Sequence, residues 1–296
     1  MNTIPGPGKA GLLALVVFAW SLFIVPLGLS AATSGLDSRP VNATCLAFDR
    51  PATNASVELQ RVFPSLSVTN LVVLTQPPGD ASYWYFVKRD GVIGRFANTA
   101  DVSAWDTVLN LSMGSGSGKV TILNDGGLVQ LLFHPDYPAD PRVFVNYSTT
   151  GSYGEANDMV VSSFEMLPGG AAIDELSEVK LIVQPRGQFH QGGFMSFGPD
   201  GLLYFGFGDG APQADPDNNS QNLLDFRGSI LRIDVDNVPT GEVYGIPADN
   251  PYAGNPRCGP VGNLAPCPEI YAHGFRNPFR GDIDQVTQDV WVADVG

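Results

Sequence analysis

From about residue 60 onward the sequence repeats one pattern: a short apolar run, a turn rich in Pro, Asp or Gly, then a second apolar run. LLFHPDYPADPRVFVNYS (131–148), FMSFGPDGLLYFGFGDG (194–210) and, more diverged, RGDIDQVTQDVWVADVG (280–296) all have this form. Further short apolar or aromatic runs stand at 71–76, 83–87, 92–96, 160–167, 179–184 and 230–235, with Arg89-Asp90-Gly91 placed to turn a hairpin. No stretch of this region carries a convincing helical period. Repeated antiparallel hairpins with turn residues between them predict an all-β fold, a β-propeller ahead of a β-sandwich. The 34 Gly and 24 Pro, spread along the chain, suit many short strands joined by turns. A propeller closes by pairing its last blade with its first. The sequence stops at Gly296 directly after an apolar strand, so the expectation is an incomplete, N-terminal part of a propeller.

Ahead of the strands, Lys9 precedes a largely apolar run from Ala10 to Leu29, followed by Ser30, Ala31 and Ala32. Basic, apolar and small residues in that order read as a secretory signal, though the run is also about long enough to span a bilayer as a signal anchor. The expected organisation is therefore a signal segment at 1–32, a polar lead-in at 33–60 and the propeller at 61–296. A secreted or extracellular location follows, with membrane attachment only if the apolar segment is kept. Asn42, Asn54, Asn110, Asn146 and Asn218 each begin an Asn-x-Ser/Thr sequon, making them candidate glycosylation sites in an exported protein. Cys258 and Cys267 bracket a Gly/Pro-rich loop and are placed for a local disulfide, with Cys45 left over. Sixteen basic residues against thirty acidic ones give a formal charge of −14, which argues against nucleic acid as a partner.

Five blocks narrow the reading: GLVQLLFHPDYPADPRVFVNY (127–147), FHQGGFMSFGPDGLLYFGFGDG (189–210), RGSILRIDVDN (227–237), YGIPADNPYAGNP (244–256) and EIYAHGFRNPFR (269–280). Together and in this order they resemble the soluble glucose/sorbosone dehydrogenase family that depends on pyrroloquinoline quinone. The resemblance covers residues 60–296 and implies a six-bladed propeller, of which about four blades would be present. It also implies oxidation of aldose sugars, with the quinone and calcium as cofactors and a separate electron acceptor.

Oxidising an aldose at its anomeric carbon removes a hydride from carbon and a proton from the hydroxyl. The quinone's chemistry takes the hydride, and the protein must supply a base for the proton. His190, in His190-Gln191-Gly192-Gly193, matches the family base, and imidazole titrates near neutral pH. Asp209, in Gly208-Asp209-Gly210, matches the acid that supports it, since a carboxylate orients a histidine and stabilises its protonated form. Arg276 and Asn277 match the family's cofactor-contacting pair; a guanidinium fork suits the carboxylates of the quinone. Asp125 and Gln191 are candidate substrate neighbours. At Asp125 sugar-oxidising members can have Gln, a departure that leaves the sugar open. The main calcium-binding segment of relatives would begin around Gly296, the candidate metal ligand here. His134 reads as a turn residue, and the acidic run Asp215–Asn219 as an exposed loop whose spacing is not that of an EF-hand. A non-catalytic extracellular propeller, of the hedgehog-interacting-protein or lectin kind, is the competing reading.

Overall fold

The computed structural model describes residues 58–116, 118–150, 157–185, 189–259 and 262–296. The N-terminal apolar segment, most of the lead-in, Cys45, Asn42 and Asn54 lie outside them. Residues Gln60–Gly296 form one unit.

Short strands with turn residues between them pair in chain order, so each sheet is an antiparallel meander. The first sheet holds β1 (Leu71–Thr75), β2 (Tyr83–Lys88), β3 (Val92–Ala97) and β4 (Asp106–Asn110). The second holds β5 (Leu128–Phe133), β6 (Arg142–Thr150), β7 (Asn157–Met166) and β8 (Ile173–Pro185). β9 (Met195–Phe197), β10 (Leu203–Phe207), β11 (Ser229–Ile233) and β12 (Ile270–His273) make the third, and β13 (Pro278–Ile283) pairs with β14 (Val290–Asp294) in a two-stranded fourth. The leading strands β1, β5, β9 and β13 are neighbours in series, which sets the sheets side by side as blades around an axis.

Side-chain alternation explains the stacking. Along β6, Val143, Val145 and Tyr147 enter the apolar layer shared with the first sheet, while Phe144 enters the layer shared with the third. Along β10, Leu203, Phe205 and Phe207 face the second sheet's side, and Tyr204 joins the layer toward β13. A strand covered on both faces needs apolar residues at consecutive positions, which is why β10 and β11 are buried throughout. The architecture is a partial β-propeller of three four-stranded blades and two strands of another.

The long connection from β11 to β12 is pinned by Asn250, which donates to the carbonyls of Arg232 (2.9 Å) and Pro268 (2.8 Å). Cys258 and Cys267 are disulfide-bonded within it. Two expectations change. Asn146 is 2% exposed in the middle of β6, paired across to Gln130 and Val161, so a glycan there is incompatible with the sheet. Asn110 and Asn218 are exposed. The acidic run 215–219 is an exposed loop at 216–218, as expected, but it leads into a 3-10 turn, Asn219–Gln221, where Asn219 is buried. Among the described residues no helix is long and apolar enough to cross a membrane.

Candidate active site

Asp125 stands just before β5, His190 and Gln191 before β9, and Arg276 and Asn277 before β13. Asp209 follows β10, which runs antiparallel to β9 and so ends beside the start of β9. One end of the axis therefore gathers the residues singled out from sequence.

His190 Nδ1 lies 2.6 Å from Asp209 Oδ1. Beside an ionised carboxylate Nδ1 carries the proton and donates it, which leaves the Nε2 lone pair as the basic atom. The Asp209 side chain is 1% exposed and that of His190 12%, so the acid is sealed behind the imidazole. Burial raises the Asp209 carboxyl above the usual carboxylate range, opposed by the Ala211 N–H (3.0 Å) and by His190. His190 adopts a left-handed backbone, φ 46°, an uncommon state for a side-chain-bearing residue and one that re-aims the ring. The Asp209 backbone is tied down as well: its N–H donates to Arg276 O (2.8 Å), and its carbonyl accepts from Asn219 Nδ2 (2.9 Å). Asn219, read from sequence as part of an exposed loop, is thus a support of the site. Only its burial, invisible in a polar run, reveals it.

Asn277 is 7% exposed and works as a clasp between loops. Its Oδ1 accepts from Gly192 N (3.0 Å), and its Nδ2 donates to Asp125 Oδ2 (3.3 Å), which also accepts from Gln191 N (3.2 Å). Asp294, at the end of β14, accepts from Asn277 N (2.6 Å) and Arg276 N (3.1 Å). The structure thus brings Asp125, Gln191 and Asn277 together as a ring joining three blades. Asp125 Oδ1 is buried with no hydrogen-bond partner among the described residues. The Arg276 guanidinium donates Nη1 to Val295 O (2.6 Å) and pairs with no carboxylate among the described residues.

The side chains at this end fit an anionic quinone through Arg276, which offers charge-assisted N–H groups, with His190 beside it as a base. Beside Gly296, the candidate calcium ligand, the neighbouring oxygens already accept hydrogen bonds within the chain. Val295 O is taken by Arg276, and the Asp294 carboxylate by the N–H groups of Arg276 and Asn277. The one group of metal-competent side chains among the described residues, His134, Asp140 and Asp236, follows β5 and β11 and so sits away from the site. Arg142 already bridges Asp140 and Asp236 there, at 2.6 and 2.5 Å. His134 accepts at Nδ1 from Asp136 N (3.2 Å) and donates Nε2 to Asp236 (3.2 Å), a structural turn as the sequence implied.

A family model described as Glucose / Sorbosone dehydrogenase matches residues 92–296. The chain belongs to the glucose/sorbosone dehydrogenase family. The PQQ-bound aldose sugar dehydrogenase of Streptomyces coelicolor superposes with a TM-score of 0.58 at 22% identity, covering 81% of this chain and 60% of that one. Hedgehog-interacting protein of Mus musculus is 31% identical over 173 residues, 56% of this chain and 24% of the relative. HIPL1 protein of Arabidopsis thaliana is 40% identical over 117 residues, 36% of this chain and 16% of the relative. The chain thus spans a quarter or less of these two relatives and about three fifths of that dehydrogenase.

The His190–Asp209 pair makes a prediction of opposite signs. Asp209→Asn places an amide oxygen where both His190 Nδ1–H and Ala211 N–H point, keeping the ring's tautomer but losing the charge that stabilises imidazolium. Any turnover that uses His190 as its base is expected to fall about five- to thirtyfold, the difference between a neutral and a charge-assisted hydrogen bond. Thermal stability is expected to rise at pH 7. A carboxyl whose folded pKa is raised stabilises the fold only in its protonated form. Its ionised burial is therefore a cost, present above the folded pKa and absent below the unfolded value of about 3.9. The variant's gain in Tm should shrink as pH falls through the acid range. A Tm gain independent of pH would contradict the assignment.

Proposed function

We propose that the propeller carrying this chain is a secreted, quinone-dependent aldose dehydrogenase. The observation that carries the reading is the buried Asp209 holding His190 Nδ1 at 2.6 Å, with Arg276 and the unpartnered Asp125 oxygen gathered at the same end of the axis. Pyrroloquinoline quinone, when bound, supplies the two-electron acceptor for the hydride leaving the anomeric carbon. His190 Nε2 accepts the proton of the anomeric hydroxyl, and the Asp209 carboxylate stabilises the resulting imidazolium. Asp125 Oδ1 accepts a hydrogen bond from a substrate hydroxyl and so orients the sugar. Asn277 keeps the Asp125, His190 and Arg276 loops in register. Arg276 holds a carboxylate or quinone oxygen of the cofactor. No step is assigned to calcium. Secretion rests on the N-terminal apolar segment, which lies outside the described residues.

A binding module without redox activity is the second reading, favoured by the 31% and 40% identities to Hedgehog-interacting protein and HIPL1 protein against 22% for the dehydrogenase. One experiment separates them. The full-length protein, supplied with the quinone and calcium, is expected to reduce an artificial dye on addition of aldoses. Absence of both quinone binding and dye reduction across an aldose panel gives the binding module the better case.

A further inference from the structure

Arg280 stands four residues after Arg276, on the leading strand β13. Its guanidinium donates Nη1 to Phe279 O (2.8 Å) and Nη2 to Val72 O of β1 (3.1 Å), so it reaches from the last sheet to the first. The same group lies over the Phe279 ring, 4.1 Å from its centroid. It is partly buried, and burial pushes its pKa down; no carboxylate among the described residues contributes. In a chain carrying fourteen excess negative charges, a guanidinium drawn out of water without a carboxylate is an expensive arrangement unless an anion completes it. The backbone makes room for it: a Cβ on Gly193 would stand 2.9 Å from Arg280 Nη1, and Gly193 sits at φ 145°. Gly193 ends the segment that begins with His190, and three residues span at most about 10 Å. The unpaired cation therefore lies within a small molecule's reach of the base.

We propose that Arg280 is an anion subsite on the axis, taking a carboxylate group of a small molecule bound at the His190 end. Arg276 just before β13 and Arg280 on it then present two guanidinium groups, both hydrogen-bonded to carbonyls and neither paired with an acid among the described residues. Two sources of carboxylate are distinguishable: the quinone itself, whose binding belongs to the function proposed above, and a free carboxylate, which needs none of that reading.

Two measurements on the full-length protein test it. In the first, acetate is compared with chloride at equal ionic strength by thermal melting. Wild-type protein is expected to gain about 2–4 °C in acetate, and Arg280→Gln to gain nothing. In the second, pyrroloquinoline quinone is titrated calorimetrically into wild type, Arg280→Gln and Arg280→Lys. If the quinone is the source, Arg280→Gln binds about ten- to a hundredfold more weakly, with Lys in between because it keeps the charge but loses the fork. Loss of the acetate effect with unchanged quinone affinity identifies a free carboxylate as the ligand. Equal acetate and chloride curves for wild type overturn the subsite, a result that can be read even if Arg280→Gln does not fold. Failure of wild type to bind the quinone removes the dehydrogenase reading and leaves the acetate result to decide Arg280.

Discussion

Replacing His190 by Gln is expected to reduce aldose oxidation by ~10²–10⁴-fold while quinone affinity stays within a few-fold of wild type. The base acts on the substrate hydroxyl, so its loss acts on the chemical step. Glutamine retains a hydrogen-bonding group near Asp209, whose carboxylate otherwise holds Nδ1 at 2.6 Å, but an amide nitrogen offers no lone pair to a proton. Steady-state kinetics should therefore show the loss in kcat and kcat/KM together, the pattern of an interaction made in the transition state. Wild-type turnover in this variant would remove His190 from the mechanism while leaving the family membership untouched. A parallel loss of quinone binding would instead make it a cofactor contact.

Gly208→Ala is expected to be nearly as damaging, without removing a single functional group. A Cβ built at Gly208 stands 1.8 Å from the carbonyl oxygen of His190 and 2.9 Å from that of Arg276. Both obstacles are backbone, so no side chain can swing aside. The surrounding hydrogen bonds resist separation, since Asp209 N donates to Arg276 O (2.8 Å) and Gly228 N to Gly208 O (2.9 Å). Relief requires the His190 segment to move by more than an ångström, and a displacement of about that size costs on the order of 10² in rate. Overpacking of this kind also costs about 1–3 kcal/mol, which lowers Tm by several degrees in a domain of this size. Activity and thermal melting of the purified variant decide the matter. Full turnover with an unchanged Tm would show that the loops after β8 and β10 are not in the contact described.

The sequence alone determined the class of fold, because covering a strand on both faces demands consecutive apolar residues and reversing the chain demands Gly, Asp and Pro. Runs such as Leu203–Phe207 satisfy both conditions wherever they end up in space. It also marked His190, Asp209, Arg276 and Asn277, whose residue types suit proton transfer and carboxylate binding and whose blocks resemble one family. It did not distinguish Asn146, buried in β6, from the exposed sequons at Asn110 and Asn218, because a sequon carries no information about depth. Nor did it show that Asn277 is a clasp, that Asn219 supports Asp209, or that Gly208 is required by the carbonyl of another loop. Those contacts join residues 10 to 152 positions apart along the chain. They exist only once four sheets stand side by side and their entering loops meet. Local pattern sets which strands form, whereas the distance between a buried carboxylate and an imidazole is set by packing, and packing belongs to the whole fold.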